Sequence, residues 1–428
     1  MDNEAVSPVQ ANRIQVMADY VKTMTLSFAS SSLTGDKSSS LPGVSSIILF
    51  LLVPLALLVL FSRFFKPIDV TRSFPSYRAP ALTTTRPQTE TSSEIISLHI
   101  YPIKSCRGIS VPSARLLRSG LSLDRNWMFV DASTSDFQTI RENASMILID
   151  TALSSDQSSL TISIAASSST TAASVTIATR PTQAWLEENC TRMDVNIWGS
   201  STEVYAYPDP VNTLFSAHFG KPVLLVYKAP SLPPRLSRGS ADPELYGQEV
   251  PHHFADVLSV TIASASSLAD LNKRLEESAD SDRSKCGEAL TMERFRPNIV
   301  IKGGVPWEED SWKRVRITPS STSSIQGAEH SVDLDIVSRC ARCQVPNVNP
   351  STGDKNAKEP WNTLMKFRRV DTGGVAKWKP CFAMMALPKE EAEVVVRGSG
   401  GGKETGSVLT VLERTDKHLY NTAKFEDL

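Results

Sequence analysis

The chain has 428 residues, 41% of them hydrophobic, with 45 Lys and Arg against 46 Asp and Glu for a net charge of −1. That length holds two or three domains, and the balanced charge gives no global reason to expect nucleic acid, so any basic site must be local. Six cysteines, Cys106, Cys190, Cys286, Cys340, Cys343 and Cys381, are too sparse for a secreted disulfide framework and read as reduced thiols in a cytosol-facing protein.

Residues 1–40 are Ser-rich and read as a disordered leader, with at most a short helix over 11–27. No charge occurs from Ser38 to Ser62, and Ile47 to Phe61 is wholly apolar. Segment 41–66 therefore reads as one transmembrane helix at the short end of the spanning range, with Pro54 tolerated as a kink. Arg63, Lys66 and Arg72 follow the apolar run, whereas only Lys37 lies close before it. The positive-inside rule then places the C-terminal bulk in the cytosol. A signal peptide is the competing reading, but the run starts late and lacks a basic region just before it. Residues 67–92 are Pro/Thr-rich and aperiodic, as a linker is.

Short β-like runs follow at 95–101, 114–117, 126–131, 145–153, 160–165, 174–179, 194–197 and 204–207, a spacing that suggests a barrel or sandwich. Residues 154–173 form a Ser/Thr/Ala-rich hairpin or insertion. A helix is expected over 211–219, closed by Gly220, and then a strand over 223–227. The second half reads as loop over 236–250, strand over 257–262 and an amphipathic helix over 266–277 that Ser266 can cap. Strands are expected at 299–302, 315–318, 332–337, 383–387 and 408–412, with a short helix over 361–368. The Gly398–Gly402 tract lacks both the strand–helix context and the GK[ST] ending of a phosphate loop. It reads as a hairpin tip.

Cys340 and Cys343 sit three apart, between the 332–337 strand and an Asn/Pro/Gly-rich turn. Zinc needs a second ligand pair, and none of the six histidines makes one; His252 and His253 read as surface residues. A redox CxxC normally opens a helix, but Pro346 and Pro350 follow here. Two buried packing cysteines stay possible. Cations beside turns recur elsewhere: Lys104, Ser105 and Arg107 in YPIKSCRG, Arg125 in LSLDRNWMFVD, Arg296 and Asn298 in RFRPNIVI, and Arg339 and Arg342 around the cysteines. Singly, each is an ordinary strand-end cation. Together they suit a polyanionic organic cofactor, and a thiolate in such a field becomes a metal ligand or a nucleophile.

IISLHIYPIKSCRGISV and LSLDRNWMFVD resemble the N-terminal β-barrel domain of MOSC proteins. SSLADLNKRLE, RFRPNIVIKGG, EDSWKRVRI, CARCQVPNVNPSTG and KEPWNTLMKFRRVD resemble the MOSC domain itself. With the apolar segment in front, the order resembles the amidoxime-reducing branch of the family. The resemblance implies an α+β, β-rich fold: a MOSC N-terminal β-barrel domain over 93–230, a MOSC β-barrel domain over 231–420 and a tail over 421–428. It implies an enzyme of the mitochondrial outer membrane, facing the cytosol, which reduces N-hydroxylated compounds such as amidoximes and hydroxylamines by taking their oxygen atom at molybdenum.

By the same resemblance Cys343 is the metal ligand and a catalytic residue, with Cys340 a packed neighbour. Lys104, Ser105, Arg125, Arg296, Asn298 and Arg342 would hold the pterin and phosphate of the molybdenum cofactor (Mo-molybdopterin). Asn349 stands at a second catalytic position, where the family often carries an acidic residue that can store a proton. The chain shows no iron–sulfur run and no dinucleotide fingerprint of its own. The resemblance therefore implies cytochrome b5 and NADH-cytochrome b5 reductase as electron donors. Molybdenum-cofactor sulfurases also carry MOSC domains, which keeps a sulfur-transfer role open and brings a family-level association with pyridoxal phosphate. A membrane-tethered scaffold with a degenerate site is the third alternative.

Overall fold

The computed structural model describes residues 91–165, 172–236, 249–278, 289–319, 330–371, 377–396, 398 and 406–418. The expected leader, the apolar segment 41–66, nearly all of the linker, the glycine tract beyond Gly398 and the tail lie outside them. Among the described residues no helix is long and apolar enough to cross a membrane.

The chain enters as a nine-residue strand, Ser92–Ile100 (β1). Four antiparallel strands then make one sheet in the order Trp127–Asp131, Val223–Tyr227, Ser200–Ala206, Thr191–Ile197. A three-stranded meander uses Ile149–Leu153, Ser159–Ile164 and Ala173–Ala178. Two helices complete this half, Gln183–Asn189 (α1) and Asp209–Phe219 (α2). α2 ends at Gly220, whose φ of 67° is the left-handed cap that glycine adopts cheaply. α1 is too short for a helical period to be read from sequence, and Thr182 starts it by accepting from the Trp185 backbone N–H at 3.2 Å. The single strand expected over 145–153 is two elements. Ala144–Leu148 is a 3-10 turn because Asn143 accepts from the Ser145 N–H, and only Ile149–Leu153 is extended.

A seven-stranded barrel closes the second half. Its strands are β1, Val260–Ser264 (β2), Ile299–Ile301 (β3), Trp312–Pro319 (β4), Val332–Ala341 (β5), Cys381–Pro388 (β6) and Ser407–Arg414 (β7). The order is β3-β2-β6-β5-β4-β7-β1, and β1 closes the ring on β3 through Leu98↔Ile299 and Ile95↔Ile301. The first strand of the described chain is thus a stave of the C-terminal barrel. Strand Ala392–Val395 crosses the other way, pairing with Ser113–Leu117. Among the described barrel strands only β2 and β3 pair in parallel, and the helix Ala265–Glu277 (α3) provides the crossover that a parallel pair requires. α3 starts one residue before the expected start: Ser264 is its N-cap without a side-chain bond, since the Ser264 hydroxyl pairs with that of Ser266 at 2.7 Å.

Alternation sets the barrel's inside. Val332, Leu334 and Ile336 of β5 join Val260, Ile262, Met384, Ala386, Leu409 and Val411 in the main core. The alternation breaks at Val337, where the pairing with β6 shifts register between Ile336 and Ser338. This bulge turns Val337 outward into a second cluster with Leu258, Met385 and Leu387. β6 is buried at every position because both its faces are covered. Met384 and Ala386 look into the barrel, while Phe382 and Ala383 pack under α3 and the helix Trp361–Phe367 (α4). An uninterrupted apolar run is the expected signature of such a strand.

Candidate functional site

A cavity of about 620 Å³ lies on the outer wall of the barrel. Its floor is the row Thr261, Met385 and Ser338, cross-strand neighbours on β2, β6 and β5 that alternate with the inward-facing residues. The N-terminal half covers it with Lys104, Ser105, Arg125, Thr139, Ile140, Arg141 and Trp198. Among the described residues seven cations line the space, Lys104, Arg125, Arg141, Arg296, Arg339, Arg342 and Lys379, against one carboxylate, Asp256. Such a space attracts an anion.

Cys343 sits just past the end of β5, is half-buried, and is a free thiol lining the cavity. The turn after it is locked by buried groups that do not face the cavity. Arg294 donates to the carbonyls of Pro346 and Val348 at 3.3 and 3.1 Å. Asn347 donates to the Asn356 carbonyl and accepts from the Trp361 N–H. A rigid turn fixes the thiol's position without a helix behind it. Cys340 packs against two apolar clusters, and its sulfur accepts from Arg342 Nη1 at 3.0 Å. Arg342 also donates through Nη2 to the Phe295 carbonyl at 2.9 Å.

Three lining residues share a left-handed backbone: Ser105 (φ 69°), Arg125 (φ 54°) and Arg296 (φ 53°). Non-glycine residues rarely adopt it, and such strain gathers where side chains must be aimed. Here it sends two guanidinium groups to the Tyr101 ring, Arg125 at 4.9 Å and Arg296 at 4.3 Å from its centroid. Asp124 pairs with Arg125 and also accepts from the Tyr101 N–H at 2.8 Å. Arg296 donates through Nη1 to the Cys106 carbonyl at 2.7 Å, while its buried Nη2 has no hydrogen-bond partner. Arg342 Nε is orphaned in the same way. Both residues line the cationic cavity, and a buried guanidinium nitrogen without a partner is a donor that an anionic ligand can satisfy.

Gly108 protects the Tyr101 platform. A Cβ there would lie 2.5 Å from the ring's Cε1. Gly108→Ala is expected to displace the ring and weaken inorganic phosphate binding several-fold; isothermal titration with phosphate checks this.

Opposite, Lys104 pairs with Asp256 and donates to the Phe254 carbonyl at 2.8 Å. Arg141 reaches the other Asp256 oxygen at 2.9 Å, and Trp198 Nε1 donates to Asp256 at 3.2 Å. One carboxylate cannot neutralise two cations. Burial pushes the Lys104 ammonium down to about 8; Asp256 opposes this, and Arg235 and Arg141 add to it. Burial alone would raise the Asp256 carboxyl, but Lys104 and Arg141 outweigh it and keep it ionised. Burial would likewise lower Arg141, and Asp256 first among its neighbours reverses this, so Arg141 stays charged beside the cavity.

The structure thus brings Lys104, Ser105, Arg125, Arg296, Arg342 and Cys343 together around one space. It does not bring Asn298 or Asn349 there. Asn298 is fully buried and clamps strands, accepting from the Thr261 N–H at 3.1 Å and donating to the His99 carbonyl at 3.3 Å. Asn349 accepts from the Ser351 N–H at 2.8 Å in its own turn, outside the cavity lining. His252, expected at the surface, is only 4% exposed, and burial pushes it down to about 3, so it is neutral. Sequence reading missed Arg141, Trp198, Asp256 and Lys379. Arg141 lies in the polar IRENAS loop and Asp256 in an irregular segment, and only tertiary structure joins them.

Family comparison agrees with the resemblance. The MOSC N-terminal beta barrel domain matches residues 92–222 and the MOSC domain matches residues 249–398. The chain is 31% identical over 277 residues to molybdenum cofactor sulfurase of Oryza sativa subsp. japonica, a match covering 64% of this chain and 30% of that protein. It therefore spans about a third of such sulfurases. It is 31% identical over 281 residues to Homo sapiens mitochondrial amidoxime-reducing component 1, covering 65% of this chain and 72% of that protein. With Rattus norvegicus mitochondrial amidoxime reducing component 2 it shares 26% over 306 residues, covering 70% and 80%. Two ordered domain matches and a barrel with the cavity on its wall lead to one conclusion: the chain belongs to the MOSC domain family.

Proposed function

We propose that the chain binds the molybdenum cofactor in this cavity and reduces N-hydroxylated compounds, with electrons from cytochrome b5 and its NADH-dependent reductase. One observation carries the reading: among the described residues seven cations and a single carboxylate surround a free thiol. The residues suit the group. Among the described residues no three His, Cys, Asp or Glu side chains converge as a metal cage, so a metal at Cys343 must bring its other ligands with it. A pterin dithiolene does so, and soft sulfur donors suit molybdenum. The unpartnered nitrogens of Arg296 and Arg342, on residues that line the cavity, would serve as donors for its phosphate.

When bound, the cofactor supplies the two-electron acceptance of an oxygen atom from N–OH. Cys343 would hold the metal through one thiolate. Arg141 and Asp256 set the charge around that sulfur, and Tyr101, Arg125 and Arg296 fix the anionic end. Two protons and two electrons turn N–OH into N–H and one water; the protons come from solvent in the cavity. A membrane anchor at 41–66, and with it an outer-mitochondrial location, is part of the reading and rests on sequence alone.

The test is conversion of benzamidoxime to benzamidine by the full chain produced in cells that make the cofactor, with reduced methyl viologen as donor. One benzamidine per two electrons is expected. Molybdenum-loaded protein that leaves benzamidoxime intact would refute the reading. The similarity to sulfurases favours sulfur transfer as the second reading, and cofactor sulfuration with no benzamidine formed would select it.

Arg296→Ala is expected to lower pterin retained after gel filtration by at least about tenfold, the loss of a charge-assisted contact of roughly 1.5–3 kcal/mol. Fluorescence of oxidised pterin reads it. The cavity's affinity also depends on pH. Lys104 is charged below about 8 and neutral above. Inorganic phosphate binding should weaken several-fold as pH rises through that value, and Lys104→Met should flatten the profile in titration calorimetry.

A further inference from the structure

We propose that the basic surface between Cys343 and β6, at the cavity's edge, docks a small acidic protein that delivers electrons one at a time. The inference rests on the reductase reading and gives it a contact surface. Lys355, Lys358, Lys366, Arg369, Lys377 and Lys379 are all exposed there. Among the described residues of the same stretch, 344–380, Asp354 is the one exposed carboxylate; Glu359 and Asp371 are buried. The whole chain carries a net charge of −1, so this excess is local. Trp361 and Lys379 belong to the stretch and also line the cavity, which makes the basic surface continuous with the site.

Trp378 belongs to the same stretch, between Lys377 and Lys379. It is 64% exposed, the backbone holds it at φ 67°, and Lys377 Nζ lies 5.6 Å from its ring centroid. A bulky residue rarely adopts that conformation, and an isolated tryptophan held in water has no folding benefit to offset it. Exposed tryptophan set among cations is the composition of a binding hot spot with electrostatic steering around it. Charge complementarity selects an acidic partner. The chemistry selects a one-electron carrier, since N–OH reduction needs two electrons and the chain carries no dinucleotide fingerprint or iron–sulfur run. Two reduced carriers each lose one electron, the N–O bond breaks, N–H forms, and two protons from solvent leave with the oxygen as water.

The probe is the soluble haem domain of cytochrome b5, an acidic one-electron carrier, mixed with the cofactor-loaded full chain. Two variants are compared with wild type: the triple reversal Lys366→Glu, Arg369→Glu, Lys377→Glu, and Trp378→Ala. None of these four residues lines the cavity. Each variant should slow carrier-driven benzamidine formation by on the order of 10-fold or more at low salt. Viologen-driven formation should stay at the wild-type rate, and added salt should slow only wild type steeply. Carrier-driven rates equal to wild type would overturn the proposal, as would equal losses in both assays. Anionic vesicles binding wild type but not the reversal, with carrier-driven rates intact, would overturn it in favour of a lipid surface. Were viologen-driven reduction absent in wild type, the reductase reading would fall. Interferometry of the haem domain on each variant would still decide the docking, with lost binding supporting it and retained binding refuting it.

Discussion

Cys343→Ala should abolish molybdenum-dependent reduction of benzamidoxime, a loss of at least about 10²-fold, while Cys340→Ala keeps most of it. The two thiols are three residues apart but differ in surroundings. Both thiols line the cavity, but Cys343 stands past the strand end. Cys340 lies on β5, packed against two apolar clusters and accepting a hydrogen bond from Arg342. Removing the Cys340 sulfur leaves a small void and frees one guanidinium nitrogen, a cost of about 1 kcal/mol in stability. Removing the Cys343 sulfur takes away the cavity thiol that stands clear of the strand, while the Cys340 sulfur, which also lines the cavity, stays engaged by Arg342. Urea midpoints read beside turnover separate folding from chemistry. Equal loss of activity in the two variants would refute the single-ligand assignment.

Asp256→Ala should have opposite effects on stability and on anion binding. The carboxylate serves Lys104, Arg141 and Trp198 at once. Its loss leaves two cations facing each other with nothing between them. A buried pair broken from one side costs about 3–5 kcal/mol. Asp256 is 40% exposed toward the cavity, so solvent screening reduces this to about 2 kcal/mol. The denaturation midpoint should fall accordingly. Inorganic phosphate, by contrast, should bind more tightly, since the one carboxylate among the described lining residues is gone. Asp256→Asn keeps the shape and a Trp198 acceptor, so it should recover part of the stability with the tighter phosphate binding retained. Weaker phosphate binding in both variants would contradict the charge argument.

Much of this was legible along the chain. Val332, Leu334 and Ile336 alternate as a barrel stave must, and the unbroken run of β6 announces a strand covered on both faces. Lys104, Arg125, Arg296 and Arg342 could be singled out because each stands beside a turn. Three things were not legible. The ring closes by pairing Leu98 with Ile299, a contact no local pattern encodes. The register shift at Val337 sends that residue to a different cluster from Ile336, though their side chains are chemically alike. Asp256 meets Lys104 across 152 residues of chain, and its role lies in compensating cations supplied by separate loops. Asn298 shows the reverse error. It sits among site residues in sequence, but its amide is spent on strand backbone.

The central claim is that this cavity holds a molybdenum-bearing pterin on Cys343. Molybdenum and pterin analysis of the purified full chain, made in cells that synthesise the cofactor, addresses it most directly. The account predicts molybdenum and pterin in equal amounts, about one of each per folded chain. Protein that folds and binds phosphate but carries neither would contradict it, and would return Cys343 to the role of a packing residue beside an anion pocket.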